Sequence, residues 1–243
     1  MTQTLIETHS AQTIYAGYED RYSDYWRSAF RDVYTPFLED ARVILDVGSG
    51  RTPLIATDMR PSDATYVGLD ISAEELHLAP SGSYDLELIQ DIVLPISGLP
   101  EEVDLALSWQ VLEHVRPLSQ AVENVRAVLQ PGGAFISLLS GRNAHFAILN
   151  RIVPEALGKA AMRHLLGREP DTVFHAEYDN CTYNGLQEVF KGWKSVEIVP
   201  IYRGAGYWRF SRPLRWTYLK YENWLVSRDK RDLATHYVVV ARK

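Results

Sequence analysis

The hydrophobic pattern of the chain alternates between two kinds of segment. Short apolar runs, the early ones without interrupting polar positions, are separated by longer segments whose apolar residues follow helical spacing. A continuous run of about four to eight apolar residues is typical of a strand that is buried on both faces of its sheet. The pattern predicts strands at 43–47, 66–69, 86–89, 103–109, 134–139, 196–201 and 236–241. It predicts helices at 25–38, 73–78, 118–129 and 183–190.

Alternation of strands and helices predicts the α/β fold class, with a mainly parallel sheet covered on both faces. The length of 243 residues and the 46% of hydrophobic residues suit one large domain with its own core. We expect a single domain, 1–243, with an N-terminal helical lid at 1–40 and a core at 41–140. The rest would be an insertion at 141–181 and a C-terminal part of the sheet at 182–243.

Two regions interrupt the alternation. Residues 141–181 are too long for an ordinary connection and contain helical spacing, which predicts an insertion after the fifth strand that caps the substrate. Residues 202–220 form an irregular aromatic and basic segment that contains no acidic residue. Open α/β sheets bind ligands beyond the carboxyl ends of their strands, so we expect both regions to lie over that edge.

Charge and cysteine content narrow the class of protein. The formal charge of -6 argues against a nucleic-acid binder with a globally basic surface, although a local basic patch is compatible with it. The one cysteine, Cys181, leaves no partner for an intrachain disulfide, as suits a reducing compartment. Without a signal-peptide pattern or a sustained apolar stretch, we expect a soluble, cytoplasmic protein with no membrane span. No cluster with metal-ligand spacing is evident, so no metal is expected.

A loop with two glycines follows the first predicted strand in VILDVGSGRTP. Gly48 and Gly50 leave the backbone without Cβ atoms, so the chain turns tightly and a ligand can approach it. A dinucleotide fingerprint would require glycine where Pro53 stands, which disfavours a nucleotide-dependent oxidoreductase. The Gly-Lys-Ser/Thr ending of a P-loop is also absent.

Acidic residues end the next two strands. Asp70 closes the second strand, where a carboxylate can accept hydrogen bonds from ribose hydroxyls. Asp91 follows the third strand, where an acid can accept from the exocyclic amine of adenine while Ile92 packs against the ring. Together with Asp46 at the end of the first strand, these acids predict a nucleoside site.

Five stretches resemble, in order, the motifs of class I S-adenosylmethionine-dependent methyltransferases, most closely the small-molecule "type 11" branch. They are VILDVGSG, YVGLDIS, QDI, VDLALSWQVLEHV and VLQPGGAFISLL, and they cover about residues 40 to 140. The terminal HYVVVARK resembles the family's antiparallel last strand. The resemblance implies a Rossmann-like, doubly wound, seven-stranded sheet that is mostly parallel. Thr52 departs from the pattern, since the family often has a third glycine there.

The resemblance also implies S-adenosyl-L-methionine as cofactor and S-adenosyl-L-homocysteine as product. Gly48 and Gly50 would pack against the methionine part, and Asp46 would orient either that loop or the amino group. Asp70 would hold the ribose, and Asp91 with Ile92 the adenine. Their neighbours complete the expected cofactor site, namely Ser49, Ile71 and Trp109. The alternatives are an ordinary strand-to-helix turn at Gly48, a helix-capping role for Asp70 beside Ser72, and a plain loop aspartate at Asp91.

Three histidines are candidate general bases, because imidazole titrates near neutrality. In order of preference they are His145 just past the fifth strand, His114 in the LEHV stretch and His175 at the far end of the insertion. His114 and its neighbour Glu113 have a structural role as an equal alternative. For His145 and His175 the alternative is an ordinary loop histidine.

Candidate substrate contacts lie on the lid, on the insertion and on the aromatic segment: Tyr25, Trp26, Arg142, Tyr178, Tyr207 and Trp208. Arginine forks suit phosphate and carboxylate groups, and aromatic rings suit sugar faces or a sulfonium. The alternative for the lid residues is that they simply cover the core, and for the aromatic segment it is a solvated helix face with core aromatics beneath.

The predicted reaction is methyl transfer by in-line displacement to a small-molecule or glycan- or lipid-linked acceptor, with no nucleic acid. The fourth motif lacks the Asn/Asp-Pro-Pro-Tyr signature of enzymes that methylate exocyclic or amide nitrogens, which favours oxygen or carbon, and we expect a hydroxyl oxygen. The assembly is left open between a monomer and a homodimer. A cofactor-binding module without catalytic activity is the alternative outside the enzymes.

Overall fold

The computed structural model describes residue 22, residues 26–152 and residues 176–243. Tyr25 and His175, two of the candidate site residues, lie outside this part of the chain. Within it, no helix is long and apolar enough to cross a membrane.

Seven strands form one sheet in the order β3-β2-β1-β4-β5-β7-β6. β1 to β5 run parallel to one another, and β7 runs antiparallel between β5 and β6. The predicted sheet with its antiparallel last strand is therefore confirmed. The strands are β1 Val43–Val47, β2 Thr65–Asp70, β3 Leu86–Ile89, β4 Val103–Trp109, β5 Leu129–Ser140, β6 Ser195–Ile201 and β7 His236–Arg242.

Helices cover both faces of the sheet, as the α/β pattern predicts. The described helices are α1 Trp26–Tyr34, α2 Ala73–His77, α3 Leu118–Val128, α4 His145–Ile152, α5 Tyr183–Val189 and α6 Arg212–Ser227. One apolar core contains side chains of α3 and α5, and the other contains side chains of α1. β1 is buried at every position because alternate residues enter the two cores: Leu45 enters the first and Ile44 the second.

The sheet order reverses between β1 and β4, which are neighbours although two strands separate them in sequence. At this reversal the connections from β1 and β4 leave toward opposite faces, and a crevice opens at the carboxyl ends of the strands. The sheet therefore offers its ligand site beside the loops after β1 and β4.

Two elements differ from the sequence prediction. β5 begins at Leu129, directly after α3, and not at 134 as predicted, so the stretch QPGG lies within the strand, whose pairing with β4 contains an irregular step. The segment 202–220 is not irregular throughout, because α6 occupies its second half and continues to Ser227. The interpretation of that segment as irregular was wrong in this respect.

The predicted insertion begins and ends near the carboxyl end of β5. The backbone N–H of Arg142 donates to the carbonyl of Cys181 at 2.7 Å, so the two ends of the segment lie side by side. α4 begins directly after this point, above the carboxyl end of β5.

Candidate active site

The loop after β1 has the tight backbone turn that its two glycines led us to expect. Gly48 and Gly50 adopt φ of 69° and 50°, in the left-handed region that favours glycine. A Cβ on Gly48 would lie 2.3 Å from the side chain of Val111, whereas a Cβ on Gly50 would meet only ordinary contacts, the nearest at 3.7 Å. Gly48 is thus required for close packing against the loop after β4, and Gly50 for its backbone conformation.

Asp46 faces the loop interior. Its side chain is 2% exposed, and its Oδ2 accepts hydrogen bonds from the Leu54 N–H at 2.8 Å and the Tyr66 hydroxyl at 2.5 Å. Burial raises the pKa of Asp46 to about 6, and these hydrogen bonds oppose that shift. Of the two predicted roles, the geometry therefore favours orientation of the loop over direct contact with a ligand amino group.

Asp70 joins the second strand to the glycine loop. Its Oδ2 accepts from the Gly50 N–H at 3.0 Å, and its Oδ1 accepts from the Ser72 N–H at 2.9 Å. The N-cap of α2 is Ser72, whose hydroxyl accepts from the Glu75 N–H at 3.2 Å. Ser72, and not Asp70, therefore caps α2. The half-buried carboxylate retains lone pairs for further donors.

The loop after β3 lies beside the loop after β2, because these two strands pair in parallel. Oδ1 of Asp91 accepts from the Val93 N–H at 3.0 Å, and its other carboxyl oxygen accepts no hydrogen bond from the residues that the structure describes. The side-chain amide of Asn124 on α3 fixes this loop by donating to the carbonyls of Ile92 and Leu94, both at 2.9 Å. Ile92 is buried in the core, whereas Ile71 is 66% exposed.

Trp109 ends β4 and packs against the N-terminal helix. Its ring meets Phe30 of α1 edge-on with centroids 5.2 Å apart, and the Arg27 guanidinium lies 5.9 Å from its centroid. α1 therefore lies over the end of β4. The side chain of Trp26 is outside what the structure describes, so its predicted substrate contact stays a prediction.

The LEHV stretch forms a single helical turn, Leu112–His114, after β4. Glu113 is buried, and its Oε1 accepts from the Ser140 N–H at 3.1 Å, while its backbone carbonyl accepts from the Tyr178 N–H at 2.8 Å. Burial raises the pKa of Glu113 above its ordinary value. These bonds tie the loop to the end of β5 and support the structural alternative for Glu113. A catalytic role for His114, whose side chain is half-buried, stays a prediction.

His145 begins α4 within an aromatic cluster. Its Nδ1 lies 2.8 Å from the Tyr218 hydroxyl, its ring stacks on Trp208 at 5.4 Å, and Tyr207 meets it edge-on at 5.2 Å. Burial lowers the pKa of His145 to about 4, so the ring is neutral at physiological pH. Its Nε2 is buried and has no hydrogen-bond partner among the residues that the structure describes. We call His145, Tyr207, Trp208 and Tyr218 the His145 cluster.

Gly204 allows this cluster to close. A Cβ at Gly204 would lie 2.8 Å from the Tyr218 hydroxyl and 2.9 Å from the His145 ring. The Gly204 N–H donates at 2.5 Å to the fully buried carboxylate of Glu222 on α6. Tyr22 donates to the same carboxylate at 3.2 Å and accepts from the Ala205 N–H at 2.8 Å. Tyr22 thus contacts the residues next to Gly204 that support the His145 cluster.

The remaining candidates take separate positions. Tyr178 is buried in the apolar core, so its burial favours a structural role over the predicted substrate contact. Arg142 is exposed, and its guanidinium donates to the Tyr178 carbonyl at 3.3 Å. Ser49 is buried within the glycine loop. The predicted contacts of Arg142 and Ser49 with ligands stay predictions.

Sequence reasoning missed the residues that hold the site in shape. They are Tyr66, which bonds Asp46; Asn124, which bonds the loop after β3; and Glu222, which bonds Gly204 and Tyr22. Tyr218 was noticed only as part of an aromatic segment. Of these residues, only Glu222 offers a pattern in the sequence that points to its role, namely an acidic residue at an inward position of a helix.

Within residues 26–152 and 176–243, no group of three histidine, cysteine or acidic residues lies close enough to hold a metal ion.

Residues 45–135 match a family model described as a methyltransferase domain. A curated relative, an uncharacterised methyltransferase of Mycobacteroides abscessus, is 32% identical over 100 residues, which are 39% of this chain and 38% of the relative. The chain thus matches well under half of the length of that relative.

Two solved structures share the fold. One is phosphoethanolamine N-methyltransferase 2 of Haemonchus contortus with phosphomonomethylethanolamine and S-adenosylhomocysteine: TM-score 0.56, 13% identity, covering 90% of this chain and 52% of that one. The other is the plantazolicin methyltransferase BpumL with a desmethyl substrate analogue and S-adenosylhomocysteine: TM-score 0.55, 15% identity, covering 100% and 97%. At these identities the likeness shows the fold alone.

The narrower placement in the "type 11" branch stays a prediction, because the comparisons above do not reach that level. The comparisons therefore show that residues 45–135 resemble a methyltransferase domain and that the chain has a fold found in solved methyltransferases.

Proposed function

We propose that the protein transfers a methyl group from S-adenosylmethionine to a hydroxyl oxygen of a small-molecule, saccharide or lipid-linked acceptor. The observation that carries the proposal is the hydrogen bond from Gly50 to Asp70, which joins a bare turn to a half-buried carboxylate. This arrangement lies beside the crevice where the sheet order reverses, and a ligand that reaches it meets acceptors for hydroxyl and amine donors.

The residues at this edge fit an adenosyl group. Asp70 has remaining lone pairs for ribose hydroxyls, and the second carboxyl oxygen of Asp91 can accept from an exocyclic amine. The exposed side chain of Ile71 lies directly after Asp70, where an apolar ring face would cover it. Gly48 and Gly50 leave the backbone open to the methionine part. Hydrogen bonds made by Asp46, Tyr66 and Asn124 hold the glycine loop and the loop after β3 in position.

S-adenosylmethionine supplies a methyl group that its sulfonium already activates. The main contribution of the chain is to hold the acceptor oxygen in line with the methyl carbon, and positioning of this kind is worth about 7 to 11 kcal/mol. The packing of Trp109 against Phe30 and Arg27 of α1 restricts the edge of the site above β4. Displacement would form an oxygen–carbon bond, break the sulfur–carbon bond and release one proton from the acceptor hydroxyl.

We assign the acceptor to the His145 cluster. His145 is neutral, and its Nε2 is the face of the imidazole that has no partner among the described residues. If Nδ1 donates to the Tyr218 oxygen, Nε2 can accept the proton of an acceptor hydroxyl; in the other tautomer it donates a hydrogen bond to the acceptor. A pKa near 4 makes a weak base, so His145 would contribute mainly by orienting the hydroxyl. Tyr207 and Trp208 offer ring faces to an apolar or sugar surface.

Calorimetric titration with S-adenosylhomocysteine tests the cofactor, and a parallel titration with NAD(P) is its control. We expect saturable binding of the first and no response to the second. A response to NAD(P) alone would contradict the proposal in favour of an oxidoreductase.

Methyl transfer is tested with radiolabelled S-adenosylmethionine and matched acceptor pools that carry hydroxyl, amine or activated-carbon groups. Label that enters only the hydroxyl pool supports the proposal, and label that enters only another pool contradicts the oxygen assignment. Cofactor binding without transfer to any pool would favour the module that binds cofactor without catalysis.

A further inference from the structure

The outer side of α6 exposes large apolar side chains. Five of them, on the helix and the turn before it, are between 41% and 63% exposed: Phe210, Leu214, Trp216, Tyr221 and Trp224. With the exposed Lys220 they form one surface, which we call the α6 outer surface. A helix of 16 residues is about 24 Å long, and the surface extends along it from Leu214 to Trp224.

The fold does not require this surface. α6 is anchored by its opposite side, where Glu222 and Leu225 are buried and Tyr218 contacts His145. Tryptophan and phenylalanine each remove a large apolar area from water when they are covered. An exposed cluster of this kind on one helix is typical of a surface that binds a partner.

Charge around the surface is positive although the whole chain is acidic. Residues 202–220 carry five basic residues and no acidic residue, in a chain of formal charge -6. Arg209, Arg212 and Lys220 are exposed, and the Lys220 ammonium lies 3.6 Å from the Trp216 ring centroid. The basic groups thus lie among the exposed aromatic rings, and their charge complements an anionic partner.

Membrane interfaces favour this combination of side chains. Tryptophan and tyrosine place an apolar ring at the depth of the headgroups, and lysine and arginine extend their charges to lipid phosphates. Single-stranded nucleic acid also selects basic and aromatic residues. It stacks on rings in a groove, however, whereas α6 presents a convex helix on which Phe210 and Leu214 offer purely apolar groups that hydrocarbon accommodates.

We propose that the α6 outer surface binds the surface of an anionic phospholipid bilayer without spanning it. The inner side of the same helix carries Tyr218, which contacts His145. Docking by the outer side would therefore hold the His145 cluster about one helix diameter, roughly 10 Å, from the lipid headgroups. If the proposed function holds, the acceptor would then be a membrane-borne hydroxyl compound.

Co-sedimentation with vesicles tests the docking. We expect the full chain to pellet with vesicles of phosphatidylcholine and phosphatidylglycerol but not with phosphatidylcholine alone, and to be released as salt screens the charges. The double variant Trp216→Ala/Trp224→Ala should reduce the bound fraction at least fivefold, and Lys220→Glu should reduce it at low salt. The matched controls, Ile89→Ala for an exposed apolar residue and Lys194→Glu for an exposed charge, should bind as the wild type does.

Three results would overturn the docking proposal: no binding to anionic vesicles, equal loss in the control variants, or binding of single-stranded RNA in a gel shift without vesicle binding. Titration with S-adenosylhomocysteine separates this proposal from the proposed function. The α6 variants should keep wild-type affinity for it, because the substituted side chains are exposed on α6 and are not part of the proposed cofactor site. Circular dichroism establishes that each variant is folded.

Discussion

The carboxylate of Asp70 accepts the backbone N–H of Gly50 at 3.0 Å, across the boundary between β2 and the loop after β1. Two motifs that are separate in the sequence thereby become one structural unit. The bond orients the bare turn, and it also fixes the side chain that faces the ribose in the proposed site. A change at Asp70 should therefore affect the ligand both directly and through the loop.

Asp70→Ala should weaken S-adenosylhomocysteine binding by about 1.5 to 3 kcal/mol for each hydrogen bond that the carboxylate makes to the ligand. Calorimetry of the purified variant measures the loss. Asp63→Ala is the control, because Asp63 is an exposed acid that pairs with Arg42. Unchanged affinity in a folded Asp70→Ala variant would remove this residue from the site.

Gly48→Ala should destabilise the protein more than another glycine substitution at positive φ. The new Cβ would lie 2.3 Å from Val111, whereas Gly82, with φ of 78°, has no atom within 4 Å of an added Cβ. Gly82→Ala is thus a control for backbone strain, which costs about 1 to 2 kcal/mol. Urea unfolding compares the two. Equal losses would show that contact with Val111 does not matter.

Acid should destabilise the protein through His236. Burial lowers its pKa to about 3 from the ordinary 6.5, so between these values the unfolded chain binds a proton that the folded chain does not. The free energy of unfolding should therefore fall as the pH falls below 6.5, by about 1.4 kcal/mol per pH unit from this group. Asp46 acts in the opposite direction between about 4 and 6, because its pKa is raised.

The test of this pH effect compares variants, so that the Asp46 contribution cancels. Urea unfolding at pH 7 and pH 5 should show a smaller loss of stability for His236→Gln than for the wild type. His77→Gln, at an exposed histidine, should lose as much as the wild type. Parallel pH profiles for all three proteins would contradict the assignment to His236.

His145→Ala should lower kcat while leaving the affinity for S-adenosylhomocysteine unchanged. Because its pKa of about 4 makes it a weak base, we expect a loss at or below the lower end of the range for general bases, about 10²-fold. Tyr218→Phe removes the hydroxyl that lies 2.8 Å from Nδ1 but keeps the ring. It should give a smaller loss of kcat.

The pH dependence of kcat distinguishes catalysis from packing for this pair. Titration of an essential imidazole should appear in the wild-type profile and disappear in His145→Ala. Full activity of His145→Ala with every acceptor would shift the assignment to His114 or to positioning alone.

The sheet, and the edge of it at which the strand-end acids lie, could be predicted from the sequence because their signals are local. Continuous apolar runs mark strands that are buried on both faces, and parallel strands bring their carboxyl ends to one edge. The acids that follow these runs therefore had to come together. The strand at 43–47 and the placement of Asp46, Asp70 and Asp91 all follow from this reasoning.

The direction of each side chain was decided by the tertiary structure. Asp46 ends a strand as Asp70 does, yet it faces inward to Tyr66, and no pattern along the chain distinguishes the two. α6 was not among the predicted helices, although a solvated helix face was the alternative for this segment, because its exposed side carries large apolar residues such as Trp216 and Trp224 and no polar stripe marks it.

The sequence by itself determined the fold class, the order of the motifs and the edge at which they meet. Only the tertiary structure paired His145 with Tyr218 and Glu222 with Gly204. Hydrophobic periodicity records how each segment is buried, whereas these contacts depend on how distant segments pack together.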